Sequence, residues 1–280
     1  MPTTPTSAGH DSEDRSQAFY VRVMTRLNDA GVPFLVGGAF ALARFTGIER
    51  NTKDFDIFVR REDIERTLEV LSDDTCATEF SFPHWLAKAV CGDDFVDIIF
   101  SSGNAIANVD DEWFEHAPED IVLGMRALLS PPEEMIWSKA YIMERERYDG
   151  ADVMHLFLRC GEKLDWPRLL RRFDEHWRVL FAHVVMFSFV YPGEHTKIPS
   201  WVTEHLMARM QKETREPPPN QHVCRGPFLS RAQYLIDIQL WGHKDARLGP
   251  TPFMSHDEVK LWTAAIHEPK PEPNLPDPVG

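Results

Sequence analysis

The chain has 280 residues, 43% of them hydrophobic, with 30 Lys+Arg against 44 Asp+Glu for a net charge of −14. Such a length can bury a sizeable core, and the composition excludes wholesale disorder, a collagen-like repeat and a coiled coil. The acidic balance excludes a surface that grips nucleic acid all round and leaves only a local basic groove for that purpose.

The polar N-terminus has no apolar stretch of the kind export needs. The longest oily run, residues 179–191, is interrupted by His183 and is shorter than the roughly 20 residues of a membrane span. Cys76, Cys91, Cys160 and Cys224 form no C-x-x-C pair, which argues against a disulfide scaffold or a cysteine zinc site. A soluble protein of the reducing cytoplasm, with no membrane partner, is the expectation.

Residues 1–16 read as a flexible tail, followed by a helix over 17–28 with Phe19, Val23 and Leu27 on one face. A short strand at 34–36 stops at Gly37-Gly38, and a helix over 39–45 begins directly behind. A strand at 55–59 and a helix at 61–71 follow, then strands near 78–82, 85–90 and 95–100. Mixed strands and helices over about residues 17–130 predict an α+β core built on a small mixed sheet with flanking helices. Beyond Pro131-Pro132 the pattern turns helical, at 133–148, 152–158, 166–178 and onward, and again at 231–241, so residues 131–266 read as a helical C-terminal region. A Pro-rich tail covers 267–280.

The segment from Val36 to Val59 carries the chemistry. Residues two apart in a strand share a face, so Asp54 and Asp56 project together while Phe55 and Ile57 face the core. Two carboxylates so placed repel unless a cation lies between them, and hard oxygen ligands suit Mg²⁺ or Mn²⁺. Gly37-Gly38, between a strand and a helix start, can let phosphate oxygens reach backbone N–H groups. Asp97 sits in an apolar strand, where a carboxylate is costly unless it is bound to a metal or paired with an arginine. Together these are the parts of two-metal phosphoryl transfer.

Gly-Gly, a short helix, then Arg50-x-Thr52-x-Asp54-x-Asp56 and a third Asp on a later strand resemble the nucleotidyltransferases of the DNA polymerase β superfamily. Within that superfamily the sequence most resembles the AbiEii-like group, which includes toxins of type IV toxin–antitoxin pairs. Lincosamide and aminoglycoside adenylyltransferases share the Gly-Gly and Arg-x-x-x-Asp-x-Asp core, typically with His in place of Thr52. The likeness spans about residues 33–100 and continues loosely to about 160 through Lys139, Arg147, Asp149 and Asp152.

The resemblance implies transfer of a nucleoside monophosphate from an NTP to an acceptor hydroxyl. Asp54 and Asp56 would hold the metals, and Asp97 would complete the metal site and help deprotonate the acceptor. Gly37 and Gly38 would cradle the triphosphate. Nucleotide contacts are also expected at Lys139, which Asp149 and Asp152 would orient unless they cap the next helix, and at Arg50, unless it pairs with Asp54 or Asp97. Thr52 either contacts the nucleotide or satisfies the turn before the strand. Arg168, Arg171, Arg172 and Arg178 offer either an RNA-facing cluster or an ion-paired face, and His84 reads as structural. The expected acceptor is an RNA end or a protein side chain, the toxin-like case with an antitoxin partner; the alternatives are a small hydroxylated antibiotic as acceptor, or no transfer at all, in a non-catalytic nucleotide- or partner-binding protein.

Overall fold

The structure, a computed structural model, describes residues 7–50, 54–217, 222–249 and 253–265. Thr52 and the Pro-rich tail lie outside them. Helix α1 (Ser7–Asp29) leads into β1 (Leu35–Val36), α2 (Gly38–Thr46), β2 (Phe55–Phe58), α3 (Ile64–Leu71), β3 (Ala77–Phe82), β4 (Leu86–Cys91) and β5 (Asp94–Ile99). After them come α4 (Asp111–Glu115), β6 (Glu119–Val122) and β7 (Met125–Leu128). The C-terminal region holds α5 (Pro132–Lys139), α6 (Gly150–Cys160), α7 (Trp166–Phe173), α8 (Trp177–Val190) and α9 (Ser200–Arg215). It continues through β8 (Val223–Cys224), α10 (Leu235–Gln239), β9 (Lys244–Asp245) and α11 (His256–Ala264).

The main sheet has the order β1-β2-β5-β4-β3, with β2 and β5 parallel and the other neighbours antiparallel. Phe55, Ile57, Val96 and Ile98 alternate into the core while Asp56, Phe58, Asp97 and Ile99 take the opposite, less buried face. One apolar core continues from the sheet through α5, α6, α7 and α8, with α2 packed on α6. The fold is α+β as expected, a small mixed sheet flanked by helices. Among the described residues, no helix is long and apolar enough to cross a membrane.

Several details differ from the sequence reading. Helix α1 begins at Ser7, well inside the expected tail, and is tied to the sheet where Ser16 Oγ donates to Asp94 Oδ1 at 2.6 Å. Cys76 and Cys91 form a disulfide with Cα atoms 4.3 Å apart, because the β3–β4 hairpin folds two distant positions together. The helix expected over 133–148 stops at Lys139. Residues 140–149 instead form a turn, closed by a Met143–Tyr148 bridge and anchored where Met143 N–H donates to the Leu229 carbonyl at 3.1 Å. The helix expected over 166–178 breaks at Asp174, whose φ of +35° a short polar side chain tolerates.

The four arginines of that region are spent in ion pairs. Arg168 bridges Glu133 and Glu134 at 2.7 Å each, and all three are buried. Arg172 reaches Asp110, Glu112 and Glu134, Arg171 pairs with Glu112, and Arg178 with Glu213. His84 is structural as expected, its Nε2 lying 3.0 Å from the Gly103 carbonyl. At the sheet's outer edge, Trp262 of α11 packs against Phe82 and Trp85, over Gly103, where a Cβ would collide with its ring.

Removing one partner of a buried ion pair strands the other charge. Arg168→Ala is expected to cost about 3–5 kcal/mol of folding stability, read by urea denaturation.

Candidate active site

The turn after β1 is built for glycine. Gly37 N–H donates to the Asp56 carbonyl at 2.9 Å, which docks the turn on β2. A Cβ on Gly37 would overlap the Phe58 ring, and one on Gly38, whose φ is +53°, would overlap the Asp56 carboxylate. Both glycines are therefore fixed by side chains rising from β2. The Gly37 amide is committed to the sheet. The amides left without intrahelical acceptors are those at the head of α2, from Gly38 onward, at the positive end of its dipole. Beside them the Ser130 hydroxyl is buried with no hydrogen-bond partner among the described residues, a group the sequence reading did not single out.

The parallel pairing of β2 and β5 sets Asp56 directly against Asp97 on one face of the sheet. Adjacent strands lie about 5 Å apart, so the two carboxylates are immediate neighbours. Asp54, just ahead of β2, is exposed, and its charge is felt by both. Burial, then the charges of Asp97 and Asp54, push Asp56 up to about 6, against the opposing pull of Lys139 and Arg147. Burial also raises Asp97, although Lys88 lies beside it, with Nζ 2.7 Å from Oδ1. Tyr20, stacked on Phe55, is raised to about 12 by burial and by the charges of Asp94, Asp54 and Asp56.

A second, cationic tier borders these acids. Lys139 Nζ lies 3.0 Å from Asp149 and 2.8 Å from Asp152. Asp149 also accepts two hydrogen bonds from Arg147 at 3.1 Å, and Asp152 accepts from Arg50. Asp149 makes no capping bond to α6, so of its two expected roles it takes that of holding Lys139. Arg50 is tied to Asp152 and forms no ion pair with Asp54 or Asp97, which corrects that alternative. Burial alone would raise Asp149 and Asp152, but the lysine and arginine partners outweigh it and hold both below the usual carboxylate range.

The structure thus brings Gly37, Gly38, Asp54, Asp56 and Asp97 together, with Lys139 and Arg50 in an adjoining network. Lys88 was missed, although a lysine in Leu86-Ala87-Lys88-Ala89-Val90 shares its strand face with two large apolar side chains, which is signal enough to ask for its partner. Among the described residues, no group of three or more His, Cys, Asp and Glu side chains stands ready-made to hold a metal ion. The donor set nevertheless suits one: three carboxylates supply hard oxygen atoms, and burial, followed by the charges of Asp97 and Asp54, raises Asp56, a strain of which an added cation would relieve the repulsive part.

No family model matches the chain, and no curated protein matches it in sequence. Among solved structures it is similar to the antibiotic-resistance factor ANT(2'')-Ia in solution, with TM-score 0.38 and 15% identity over 72% of this chain and 94% of that one. It is similar also to the lincosamide antibiotic adenylyltransferase LnuA bound to lincomycin (0.36, 16%, 50% of this chain and 94% of that one). A third is an antigenic nucleotidyltransferase-like protein from Paracoccidioides brasiliensis (0.35, 14%, 61% and 92%). Likeness this distant carries no inference about what this chain does.

The folded protein holds the Asp56 proton more tightly than the unfolded chain does. The stability this contributes is complete below the ordinary value of 3.8 and is lost as pH rises through about 6. Asp56→Asn is therefore expected to be more stable than the wild type in metal-free buffer at neutral pH. That advantage should grow by roughly 2 kcal/mol between about pH 4 and pH 7.5, measured by urea denaturation of both proteins.

Proposed function

We propose that the protein is a metal-dependent nucleotidyltransferase that moves a nucleoside monophosphate from an NTP to an acceptor hydroxyl. The single observation that carries this reading is the convergence of Asp56 and Asp97 on paired strands, with Asp54 on the same side and the head of α2 beside them. Asp54, Asp56 and Asp97 would hold Mg²⁺ or Mn²⁺, which when bound would neutralise phosphate charge and ease ionisation of the acceptor. Asp97, raised by burial, is suited to accept the acceptor's proton. The amides from Gly38 onward would take phosphate oxygens, since an anion is favoured at a helix head. Lys139 and Arg147, held in place by Asp149, would offset the remaining negative charge. The acceptor oxygen bonds to the α-phosphorus as pyrophosphate departs, a reaction in which positioning and charge neutralisation do most of the work.

An acceptor smaller than RNA fits the charge distribution better. The arginines between residues 168 and 178 that would have greeted an RNA backbone are engaged with glutamates and aspartates. A cationic, hydroxylated small molecule would be drawn to a site dominated by carboxylates. The AbiEii-like, toxin-type reading keeps the same chemistry with an RNA end or protein side chain as acceptor and an antitoxin as partner.

The test is incubation with α-labelled NTPs and Mg²⁺ in three arms: aminoglycosides and lincosamides, total RNA, and lysate protein. Transfer is expected in the small-molecule arm and is expected to stop on chelation by EDTA. Asp56→Asn or Asp97→Asn should lower the rate at least about a hundredfold. Labelling confined to RNA or protein would favour the toxin-type acceptor. Absence of labelling in every arm, with folded protein, would leave a binding protein without turnover.

A further inference from the structure

A lysine stands on the face that carries the three carboxylates. Lys88 of β4 is the direct antiparallel partner of Asp97 on β5, so the sheet register itself sets its ammonium beside the third acid. Its Nζ also lies 4.2 Å from the centre of the Phe95 ring, which holds the chain down along the sheet. Both partners of the ion pair are largely shielded, with side-chain exposures of 27% and 19%. A lysine is a poor choice for such a strand unless its charge is wanted there.

We propose that Lys88 is a resident counter-cation for Asp97: it balances the acidic face before metal arrives and yields Asp97 when a divalent ion takes its place. This rests on the metal-dependent reading above. Lys88 has somewhere to go, because Glu79 lies directly opposite it on its other flank, on β3, and is exposed. Opposite charges facing each other across antiparallel strands attract. The lysine thus moves from an inner to an outer carboxylate while the ion binds Asp97. The same ammonium steadies the metal-free fold and weakens the first metal ion's hold, since the ion must displace it. Lys88 is a positioning residue in this scheme and touches neither nucleotide nor acceptor.

The experiment is Mn²⁺ binding to the full-length protein without nucleotide, read by the loss of free-ion EPR signal, for wild type, Lys88→Met and Lys88→Arg. Thermal unfolding of each is recorded with and without the ion. Lys88→Met is expected to bind Mn²⁺ about tenfold more tightly than wild type, to melt lower without metal, and to regain more of its melting temperature when metal is added. Lys88→Arg, which keeps the charge, should return to wild-type affinity. A residue that only packs would lower stability without tightening the ion. Should Lys88→Met fail to fold, the ammonium resonance of Lys88 in the wild type is followed by NMR as Mg²⁺ is added. A shift that saturates with the ion supports the exchange, and an unmoved resonance overturns it. Unchanged or weaker Mn²⁺ binding in Lys88→Met, with normal binding in the wild type, overturns the role of Lys88 alone. No binding to the wild type or to either variant overturns the metal site as well.

Discussion

The parallel pairing of β2 with β5 is the constraint on which the site depends. It places Asp56 opposite Asp97, and no rotamer choice can take the two carboxylates to different faces of the sheet. Like charges at that separation cannot both ionise freely, so the surroundings must supply positive charge or hold a proton. The protein does both. Burial, then the charges of Asp97 and Asp54, raise Asp56 to about 6, Lys88 stands against Asp97, and Lys139 with Arg147 pulls the other way on Asp56.

The cations are themselves restrained. Lys139 is held between two aspartates, Arg50 completes the arrangement through Asp152, and the turn that replaces the end of α5 returns Asp149 to Lys139. Each positive group near the acids therefore has a fixed address, the kind of preorganisation from which electrostatic catalysis draws its advantage. Gly38 belongs to the same design. Its missing Cβ lets the head of α2 settle directly on the Asp56 carboxylate, so an anion-favouring helix end and an anionic side chain share one small space.

Much of this was legible in the sequence. Period-two alternation in Phe55-Asp56-Ile57-Phe58 and Phe95-Val96-Asp97-Ile98 gave the faces of both strands, and the glycine pair marked the turn. What escaped notice depended on pairing. That Lys88 meets Asp97, or Cys76 meets Cys91, follows from strand register, which a single sequence does not print. The β6–β7 hairpin was missed because its turn places Leu123 at a φ of +49° ahead of Gly124, so the first turn position lacks the asparagine, aspartate or glycine that usually marks such a pair. The helix expected to run to residue 148 failed for a tertiary reason, since the links of Met143 to Leu229 and of Lys139 to Asp149 draw the chain into a turn.

The packing of α11 bears on how the chain tolerates shortening. Strand β3 is the last in its sheet, and Trp262 covers aromatic rings beside that edge while Arg231 lies over its ring at 4.1 Å. A chain cut ahead of Ser255 would bare those rings at the border of the sheet. Such shortening would therefore expose an apolar border of the kind that favours association between molecules.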